Sequence, residues 1–313
     1  MKAIILNGFG GVDQLTYTEL PTPAIQDHEV LIRVKAISLN PVDVKTRSGK
    51  GVAGRLKDVQ PIILGWDVSG IVTEVGLAVT AFKPGDEVFG MVNFPGHGQA
   101  YAEYVAAPAS HLTLKPAHIS HEAVAATTLA ALTAWQALKP HLELISGQKV
   151  LIHAAAGGVG HFAVQLAHYW GHYVIGTASA QNREFVLELG ADEHLDYKAQ
   201  SLPEAVSDVD LVLDSLGGEN IDLSLPVIKP GGIIISIPSG KNDQVTEKAA
   251  AKGVNGYPFM VQSNGDDMKA LADLLDKGVL VPRIFKTFPF EQMADAHLQV
   301  ETGKTAGKVI VTL

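Results

Sequence analysis

A strand-like apolar run that ends in a turn of small residues constrains this chain more than any other segment. Residues 149–153 have the composition of a buried strand, and an amphipathic segment follows the turn at 154–159. The turn has the spacing Ala155-x-Gly157-x-x-Gly160, a dinucleotide-binding fingerprint with alanine in place of the first glycine. Small residues let the backbone approach a pyrophosphate, and a helix N-terminus offers it N–H groups. These residues, with Gly158 and Val159, predict a dinucleotide site; the alternative is an ordinary strand-to-helix turn.

Charge and cysteine content argue against several other classes of protein. The 313-residue chain has 24 Lys and Arg against 33 Asp and Glu, a net charge of −9. Non-specific binding of nucleic acid or of an anionic membrane needs positive charge, so neither is expected. No apolar run approaches the ~20 residues of a membrane-spanning helix. Cysteine is absent, which excludes disulfides and thiolate metal sites and makes the cytoplasm the expected location.

The pattern of predicted elements changes near residue 120. Before it, short strands alternate with turns, which suggests a barrel or sandwich. After it, strands alternate with helices, which indicates a parallel sheet covered on both faces. The early strands are 1–8 (too short for a signal peptide), 29–37, 71–75 and 87–91. The later strands are 149–153, 172–177, 209–213, 232–237 and 307–313, and the helices are 121–138, 158–170, 182–189, 220–226, 267–277 and 291–301.

A series of short motifs then occurs in a characteristic order along the whole chain. They are Asn40-Pro41-Val42-Asp43-x3-Arg47-x-Gly49, Pro61-x3-Gly65-Trp66-Asp67-x2-Gly70, Lys83-Pro84-Gly85-Asp86-Glu87-Val88, Ala100-Tyr101-Ala102-Glu103-Tyr104, Leu132-Thr133-Ala134-Trp135, the turn 154–160, Leu189-Gly190-Ala191-Asp192, Asp214-x2-Gly217-Gly218 and Gly307-Lys308-Val309. In this order they resemble the medium-chain dehydrogenase/reductases, in their zinc-independent quinone-oxidoreductase branch.

The resemblance implies an α/β protein of two domains. A β-rich, partly open barrel (GroES-like) would form the catalytic domain over 1–120, with 284–313 returning to it. A Rossmann domain over 121–283 would carry a doubly wound parallel sheet of strand order 3-2-1-4-5-6. Cofactor and substrate would lie in the cleft between the two domains.

No metal site is expected. Zinc-dependent relatives hold their catalytic zinc with a cysteine, a histidine in a Gly-His-Glu context and a third Cys or Asp. Here that context reads Gly65-Trp66-Asp67, and Asn40 stands near the place of the cysteine. Catalytic zinc needs three protein ligands, and the twelve histidines show no ligand spacing. A zinc-type alcohol dehydrogenase is therefore the less favoured alternative.

Direct hydride transfer suits a conjugated acceptor, a quinone or an activated alkene. Hydride adds to an electrophilic carbon, and the negative charge that develops on a remote oxygen needs a hydrogen-bond donor. The resemblance places Asn40 and Asp43 beside the nicotinamide, with a hydrogen bond to substrate or nicotinamide for Asn40 and an orienting role for Asp43. The alternatives are a helix N-cap for Asn40 and a solvated helix residue for Asp43. Many quinone reductases carry tyrosine where this chain has Lys45 and Gly51; Lys45 is a candidate proton donor or anion-binding group, or else a surface lysine.

The end of the second predicted Rossmann strand indicates NADPH rather than NADH. An NAD site normally has Asp or Glu there for the ribose hydroxyls. This chain has no carboxylate before Glu184 but offers Ser179, Asn182 and Arg183 to a 2′-phosphate. A solvated helix residue is the alternative for Arg183. Tyr197 matches a family position near the adenosine phosphate.

Four more residues are candidates on the nicotinamide side. Leu216 and Gly217 follow the strand that ends at Asp214, as in the family. Thr133 is a candidate contact to the nicotinamide or its ribose, or an ordinary buried threonine. Lys308 is a further candidate for cofactor binding.

The sequence thus favours an NADPH-dependent reductase of small conjugated carbonyl compounds or quinones. A non-catalytic NADPH-binding or redox-sensing protein is the alternative from another class, because its binding residues would look the same. A homodimer is also expected. Residues 253–261 are apolar and strand-like, relatives pair such an edge strand with its symmetry mate, and an unpaired apolar edge would invite aggregation. A lone buried strand is the alternative.

Overall fold

The computed structural model describes all 313 residues. In it, the stretches rich in strands form one unit, and the stretch in which strands alternate with helices forms another. The β-rich unit comprises Met1–Leu132 and Gln262–Leu313, and the α/β unit comprises Thr133–Val261. The strands are β1 (Lys2–Leu6), β2 (Leu15–Glu19), β3 (Glu29–Leu39), β4 (Ile62–Ile63), β5 (Asp67–Val75), β6 (Glu87–Met91), β7 (Tyr104–Pro108), β8 (Leu112–Leu114), β9 (Lys149–Ile152), β10 (Tyr173–Ala178), β11 (Glu193–Asp196), β12 (Val209–Asp214), β13 (Ile228–Ser236), β14 (Asn255–Pro258), β15 (Ile284–Pro289) and β16 (Lys308–Thr312). The helices are α1 (Pro41–Arg47), α2 (His121–Leu142), α3 (Gly160–Tyr169), α4 (Arg183–Glu188), α5 (Leu202–Ala205), α6 (Glu219–Ser224), α7 (Val245–Ala250), α8 (Gly265–Asp276) and α9 (Met293–Glu301).

The α/β unit is built on one six-stranded sheet of order β11-β10-β9-β12-β13-β14. All neighbouring strands are parallel. Counted within the unit, this is the order 3-2-1-4-5-6, so the expected doubly wound Rossmann sheet is confirmed. The central strands are apolar runs because helices cover both faces of such a sheet. Their buried residues include Val150, Leu151, Ile152, Leu211, Val212 and Leu213.

The β-rich unit centres on the long strand β3. It pairs antiparallel with β5, β7 and β16, within a sheet of order β15-β16-β3-β5-β6-β8. Val30, Ile32, Val34 and Ala36, which the alternation places on one face, are all buried. The last strand does return to this unit, with Val309 opposite Leu39. This return brings the start of β16 to the end of β3, where the side chains of the candidate site lie.

The units divide at other points than residues 120 and 284. Helix α2 runs unbroken past Leu132. Helix α8 belongs to the β-rich unit because its first residue, Gly265, packs tightly on Ser110. A Cβ added at Gly265 would lie 2.7 Å from the Ser110 carbonyl oxygen. The returning part of the chain therefore begins at Gln262.

Most predicted elements occur, with shifted ends. The predicted helix 182–189 is α-helical only over Arg183–Glu188, after a 3-10 turn at Ala180–Asn182. The strand expected within 253–261 is limited to β14, and the buried valines of that segment, Val254 and Val261, lie outside it. No helix is both long and apolar enough to cross a membrane. The cytoplasmic location stays a prediction.

Candidate active site

The turn between β9 and α3 is shaped by backbone and small side chains. Ala154 has a φ of 48°, an uncommon left-handed conformation for a residue with a side chain. A Cβ at Gly160 would lie 2.1 Å from the Ala154 carbonyl oxygen, so only glycine fits at the first position of α3. No side chain caps the N-terminus of α3. The predicted residues Ala155, Gly157, Gly158, Val159 and Gly160 therefore present an uncapped helix N-terminus, which suits a pyrophosphate.

Close packing holds the same turn against β10. The Ala155 N–H donates to the Thr177 carbonyl oxygen (2.9 Å). A Cβ at Gly176 would lie 2.8 Å from the Ala155 Cβ, so neither position has room for a larger residue. Close packing against Gly176 therefore leaves room for alanine, and for nothing larger, at the first position of the fingerprint.

The candidate ribose-binding residues follow the ends of β10 and β11. Asn182 Nδ2 donates to Ser179 Oγ (3.2 Å), and the neighbouring Arg183 is exposed at the start of α4. Ala178 pairs with Asp196, so the two strands end side by side. Tyr197 follows directly and is 59% exposed. The structure thus places all four predicted residues at the same end of two adjacent strands.

The loop after β12 is organised by Asp214, a role that the sequence analysis did not assign. Its carboxylate accepts from Leu216 N (3.0 Å) and Gly217 N (3.1 Å). It also accepts from Asn220 Nδ2 (2.9 Å) and Ser236 Oγ (2.6 Å). Gly217 has a φ of 67°, and a Cβ there would lie 2.8 Å from the Lys241 carbonyl oxygen. An acidic residue at a strand end, just before a Gly-Gly pair, is the signal that could have identified this role.

Thr133 is nearly buried in α2, with 5% of its surface exposed. Burial agrees with the alternative of an ordinary core threonine. Its contact to a nicotinamide stays a prediction.

In the β-rich unit, the ends of four elements converge on Asn40. Asn40 follows β3 and is the N-cap residue of α1, so the N-cap alternative describes its backbone position. Its side chain, however, is buried and hydrogen-bonds to two other segments of the chain. Asn40 Nδ2 donates to Asp67 Oδ2 (2.8 Å) at the start of β5. Asn40 Oδ1 accepts from the ammonium of Lys308 at the start of β16. We call Asn40, Asp43, Asp67 and Lys308 the Asn40 cluster.

Asp43 is fully buried, which excludes the alternative of a solvated helix residue. Its Oδ2 accepts from the Asn40 N–H (2.7 Å), as the N3 residue of a capping box does. Burial is the main cause that raises the pKa of Asp43 to about 7, and the nearby Asp67 charge adds to it. The hydrogen bond from Asn40 and the charge of Lys308 act in the opposite direction. Asp43 can therefore change its protonation state near neutral pH.

Asp67 and Lys308 are the buried opposite charges of the cluster, and both bind the Asn40 amide that lies between them. The Lys308 ammonium also donates to the Leu39 carbonyl oxygen (2.9 Å), and Asp67 Oδ1 accepts from Leu129 N (2.9 Å). Burial raises the pKa of Asp67 and lowers that of Lys308, and each charge partly offsets the shift of the other. Lys308 was predicted to bind the cofactor. The structure instead ties its ammonium to Asn40, and cofactor binding stays a prediction.

Lys45 lies outside this cluster. It is half-buried in the last turn of α1, where its carbonyl oxygen accepts from Ser48 Oγ (2.8 Å). Its role as proton donor or anion-binding group stays a prediction.

Trp66 occupies the place of the zinc-ligating histidine and is part of the core. It is fully buried, and its Nε1 donates to the Gly96 carbonyl oxygen (2.7 Å). No group of three or more histidine and acidic side chains is placed to hold a metal ion.

Sequence reasoning predicted Asn40 and Asp43 as site residues but missed the side chains that position them. Asp67 was noted only for its place in a zinc context, and it proves to orient the Asn40 amide. Tyr101 lies buried beside Asp43, His297 is buried next to Tyr101, and Arg47 is buried next to His297. The only sequence signal for this group was that Arg47 and Tyr101 belong to the family motifs.

Comparison with known proteins agrees with this architecture. Residues 26–117 match the alcohol dehydrogenase GroES-like domain, and residues 189–311 match a family model described as zinc-binding dehydrogenase. The chain is similar to the chloroplastic NADPH-dependent alkenal/one oxidoreductase of Arabidopsis thaliana, with 36% identity across 99% of this chain and 79% of that protein. It is also similar to the 2-methylene-furan-3-one reductase of Solanum lycopersicum, with 34% identity across 99% and 79%.

A solved structure resembles the whole chain. The quinone oxidoreductase from Coxiella burnetii superposes with a TM-score of 0.95 at 38% identity, and the match covers 100% of this chain and 99% of that one. The sequence motifs, the strand order and these matches agree. The chain belongs to the medium-chain dehydrogenase/reductase superfamily and, within it, to the quinone-oxidoreductase branch.

Proposed function

We propose that this protein is an NADPH-dependent reductase of conjugated carbonyl compounds, either quinones or α,β-unsaturated ketones and aldehydes, and that it works without zinc. The observation that carries the proposal is the fixed orientation of the Asn40 amide. Lys308 holds Oδ1 and Asp67 holds one N–H of Nδ2. The amide therefore cannot flip without placing its NH2 group against an ammonium.

One hydrogen of Asn40 Nδ2 remains for an acceptor. Its other hydrogen-bond partner is the Ser38 carbonyl oxygen at 3.5 Å, which is too long for a strong hydrogen bond. Lys308 at the carbonyl end polarises the amide and makes this hydrogen a better donor. When bound, NADPH supplies the hydride for the electrophilic carbon of the acceptor. Asn40 donates to the oxygen on which negative charge develops.

The α/β unit has the residues to hold this cofactor. The uncapped N-terminus of α3 fits the pyrophosphate, and Gly160 lets this helix start in close contact with the Ala154 backbone, where a side chain would clash. Ser179, Asn182 and Arg183 would hold the 2′-phosphate, beside Tyr197. The name of the Arabidopsis relative, an NADPH-dependent alkenal/one oxidoreductase, supports the choice of both cofactor and acceptor.

Cofactor oxidation across a panel of acceptors tests the proposal. We expect NADPH oxidation with quinones, enones and alkenals, and little with saturated ketones. The rate should survive exhaustive chelation. Stoichiometric zinc with activity lost on its removal would contradict the metal-free reaction. NADPH binding with no turnover across the panel would favour the non-catalytic alternative.

We also propose a homodimer formed through β14. This strand is the edge of the parallel sheet, and only β13 pairs with it. Pairing with the β14 of a second copy would cover the edge. Light scattering at micromolar concentration should give twice the 33.1 kDa of the chain. A monomer at that concentration would contradict the dimer.

A further inference from the structure

A string of buried polar side chains runs from α9 to Asp43 within the β-rich unit. Tyr101 and His297 are fully buried and Arg47 nearly so. The Tyr101 hydroxyl lies 3.0 Å from His297 Nε2, and Arg47 Nη1 lies 3.3 Å from His297 Nδ1. Glu301 pairs with the far side of the guanidinium, and Arg47 Nε donates to the Gly10 carbonyl oxygen (3.2 Å). These residues take no part in the proposed hydride transfer.

The chemistry of each group decides which partner donates in each hydrogen bond of this string. An arginine can only donate, so His297 Nδ1 must accept from Arg47. Burial and the Arg47 charge lower the pKa of His297 to about 3, so the ring is neutral and its one proton sits on Nε2. That proton is donated to the Tyr101 oxygen. The hydroxyl proton of Tyr101 is then left to point away from the histidine.

The polar group that this proton can reach is Asp43. Asp43 Oδ1 is buried and has no hydrogen bond of ordinary geometry, and the Tyr101 hydroxyl lies beside that carboxyl and interacts with it. Asp43 Oδ2 accepts from the Asn40 backbone. The other charged groups that bear on Asp43 are Asp67 on β5 and Lys308 on β16. Tyr101 is thus the neutral donor among the groups around Asp43.

We propose that Tyr101 is a positioning residue for the reduction: its hydroxyl, aimed by His297 and Arg47, donates to Asp43 and favours the anionic form that accepts from the Asn40 backbone. This inference rests on the proposed function, because its effect on turnover passes through Asn40. A carboxylate accepts a hydrogen bond more strongly than a carboxylic acid does. Protonation of Asp43 therefore loosens Asn40 and slows turnover on the acid side.

Tyr101→Phe removes the hydroxyl and keeps the ring. Because a hydrogen bond to a charged group favours the ionised form, we expect the acid limb of the kcat–pH profile to move up by about one pH unit. KM for the acceptor and the Kd of NADPH should stay unchanged. The matched control is Tyr104→Phe, a half-exposed tyrosine on β7 outside the string.

Variants of His297 test the direction of the string. Glutamine has an oxygen that can accept from Arg47 and a nitrogen that can donate to Tyr101, so His297→Gln should keep the parent profile. His297→Leu should reproduce the shift of Tyr101→Phe. Equal profiles for the two His297 variants would overturn the assigned direction. Thermal unfolding of each variant is measured as well, and each profile is recorded at a temperature at which that variant stays folded.

A readout without cofactor or substrate separates this inference from the function. Carbon-13 NMR of labelled aspartates gives the Asp43 titration, assigned by its loss in Asp43→Asn. We expect a midpoint near 7 in the parent and about one unit higher in Tyr101→Phe. An unchanged midpoint overturns the Tyr101–Asp43 hydrogen bond. A shifted midpoint with an unchanged kcat profile overturns the positioning role. Failure of the parent to reduce any acceptor would overturn the proposed function and this positioning role with it, while the NMR shift would still test the hydrogen bond.

Discussion

The two candidate binding regions use opposite physical means. The turn between β9 and α3 offers backbone N–H groups and has only apolar side chains, with Gly160 as its tightest position. The Asn40 cluster is made of side chains, three of them ionisable and all buried. A site made of backbone needs space, whereas a site made of buried charges needs every partner in place. The first should respond mainly in cofactor affinity and the second in stability, pH dependence and rate.

The largest expected effect is on stability, from breaking the buried pair. Lys308→Met leaves Asp67 buried without its countercharge, and removing one partner of a buried pair costs about 3–5 kcal/mol of unfolding free energy. The matched control is Lys248→Met in the α/β unit, whose ammonium pairs with the half-exposed Asp222 at 2.7 Å. Surface pairs are worth about 0–1 kcal/mol. Urea denaturation of both variants checks the contrast, and equal losses would remove the distinction between the regions.

The second effect is a pH dependence of opposite sign in the two units. The raised pKa of Asp43, about 7 against 3.8, means that its contribution to stability is present at low pH and lost as pH rises from about 4 to 7. His153, buried after β9, has its pKa lowered from 6.5 to about 4 by burial, so its contribution is lost as pH falls through that range.

Variants without the titrating group isolate these two contributions. Relative to the parent, Asp43→Asn should gain stability as pH rises from 4 to 8, and His153→Gln should gain as pH falls from 7 to 4. At about 1.4 kcal/mol per pH unit, these shifts correspond to about 4 kcal/mol for Asp43 and about 3 kcal/mol for His153. Urea denaturation at a series of pH values measures both. Parallel curves for parent and variant would show that the group keeps its ordinary pKa in the fold.

The smallest of these three effects is on cofactor choice. Arg183→Ala should weaken NADPH binding by about 1–3 kcal/mol, because a charge-assisted hydrogen bond to the 2′-phosphate is lost. NADH binding should hardly change. Titration calorimetry with both cofactors measures this, with Lys198→Ala, next to Tyr197, as a neighbouring positive charge for comparison. Equal affinity of the parent for NADPH and NADH would refute the assignment of Ser179 and Arg183.

The two regions also differ in how far they could be predicted from sequence, because one is formed by neighbouring residues and the other by distant ones. The dinucleotide turn lies within twelve consecutive residues, so its spacing and the strand before it were sufficient. Asn40 and Asp43 lie within one turn of helix and were found together. Asp67 and Lys308 reach Asn40 from 27 and 268 residues away, and no local pattern reports such a contact. Asp214 was visible at a strand end, but its role depends on the loop that folds back onto it.

The boundary between the two units was also mispredicted because it depends on contacts between distant segments. Periodicity placed α8 and the last helix correctly as helices. It could not show that Gly265 packs against Ser110, which assigns α8 to the β-rich unit. Packing between distant segments decides such boundaries, and the order of strands and helices along the chain does not reveal that packing.

The central claim is that the Asn40 amide donates to the acceptor oxygen in the transition state. Its most direct test is steady-state kinetics of Asn40→Ala with the best enone or quinone, beside Asn7→Ala, which removes an exposed amide from the same unit. We predict a loss of about 100-fold in kcat, the lower end of ~2.7–4 kcal/mol for one such donor, with little change in KM or in NADPH affinity. A correctly folded Asn40→Ala protein that reduces the acceptor at the parent rate would contradict the claim.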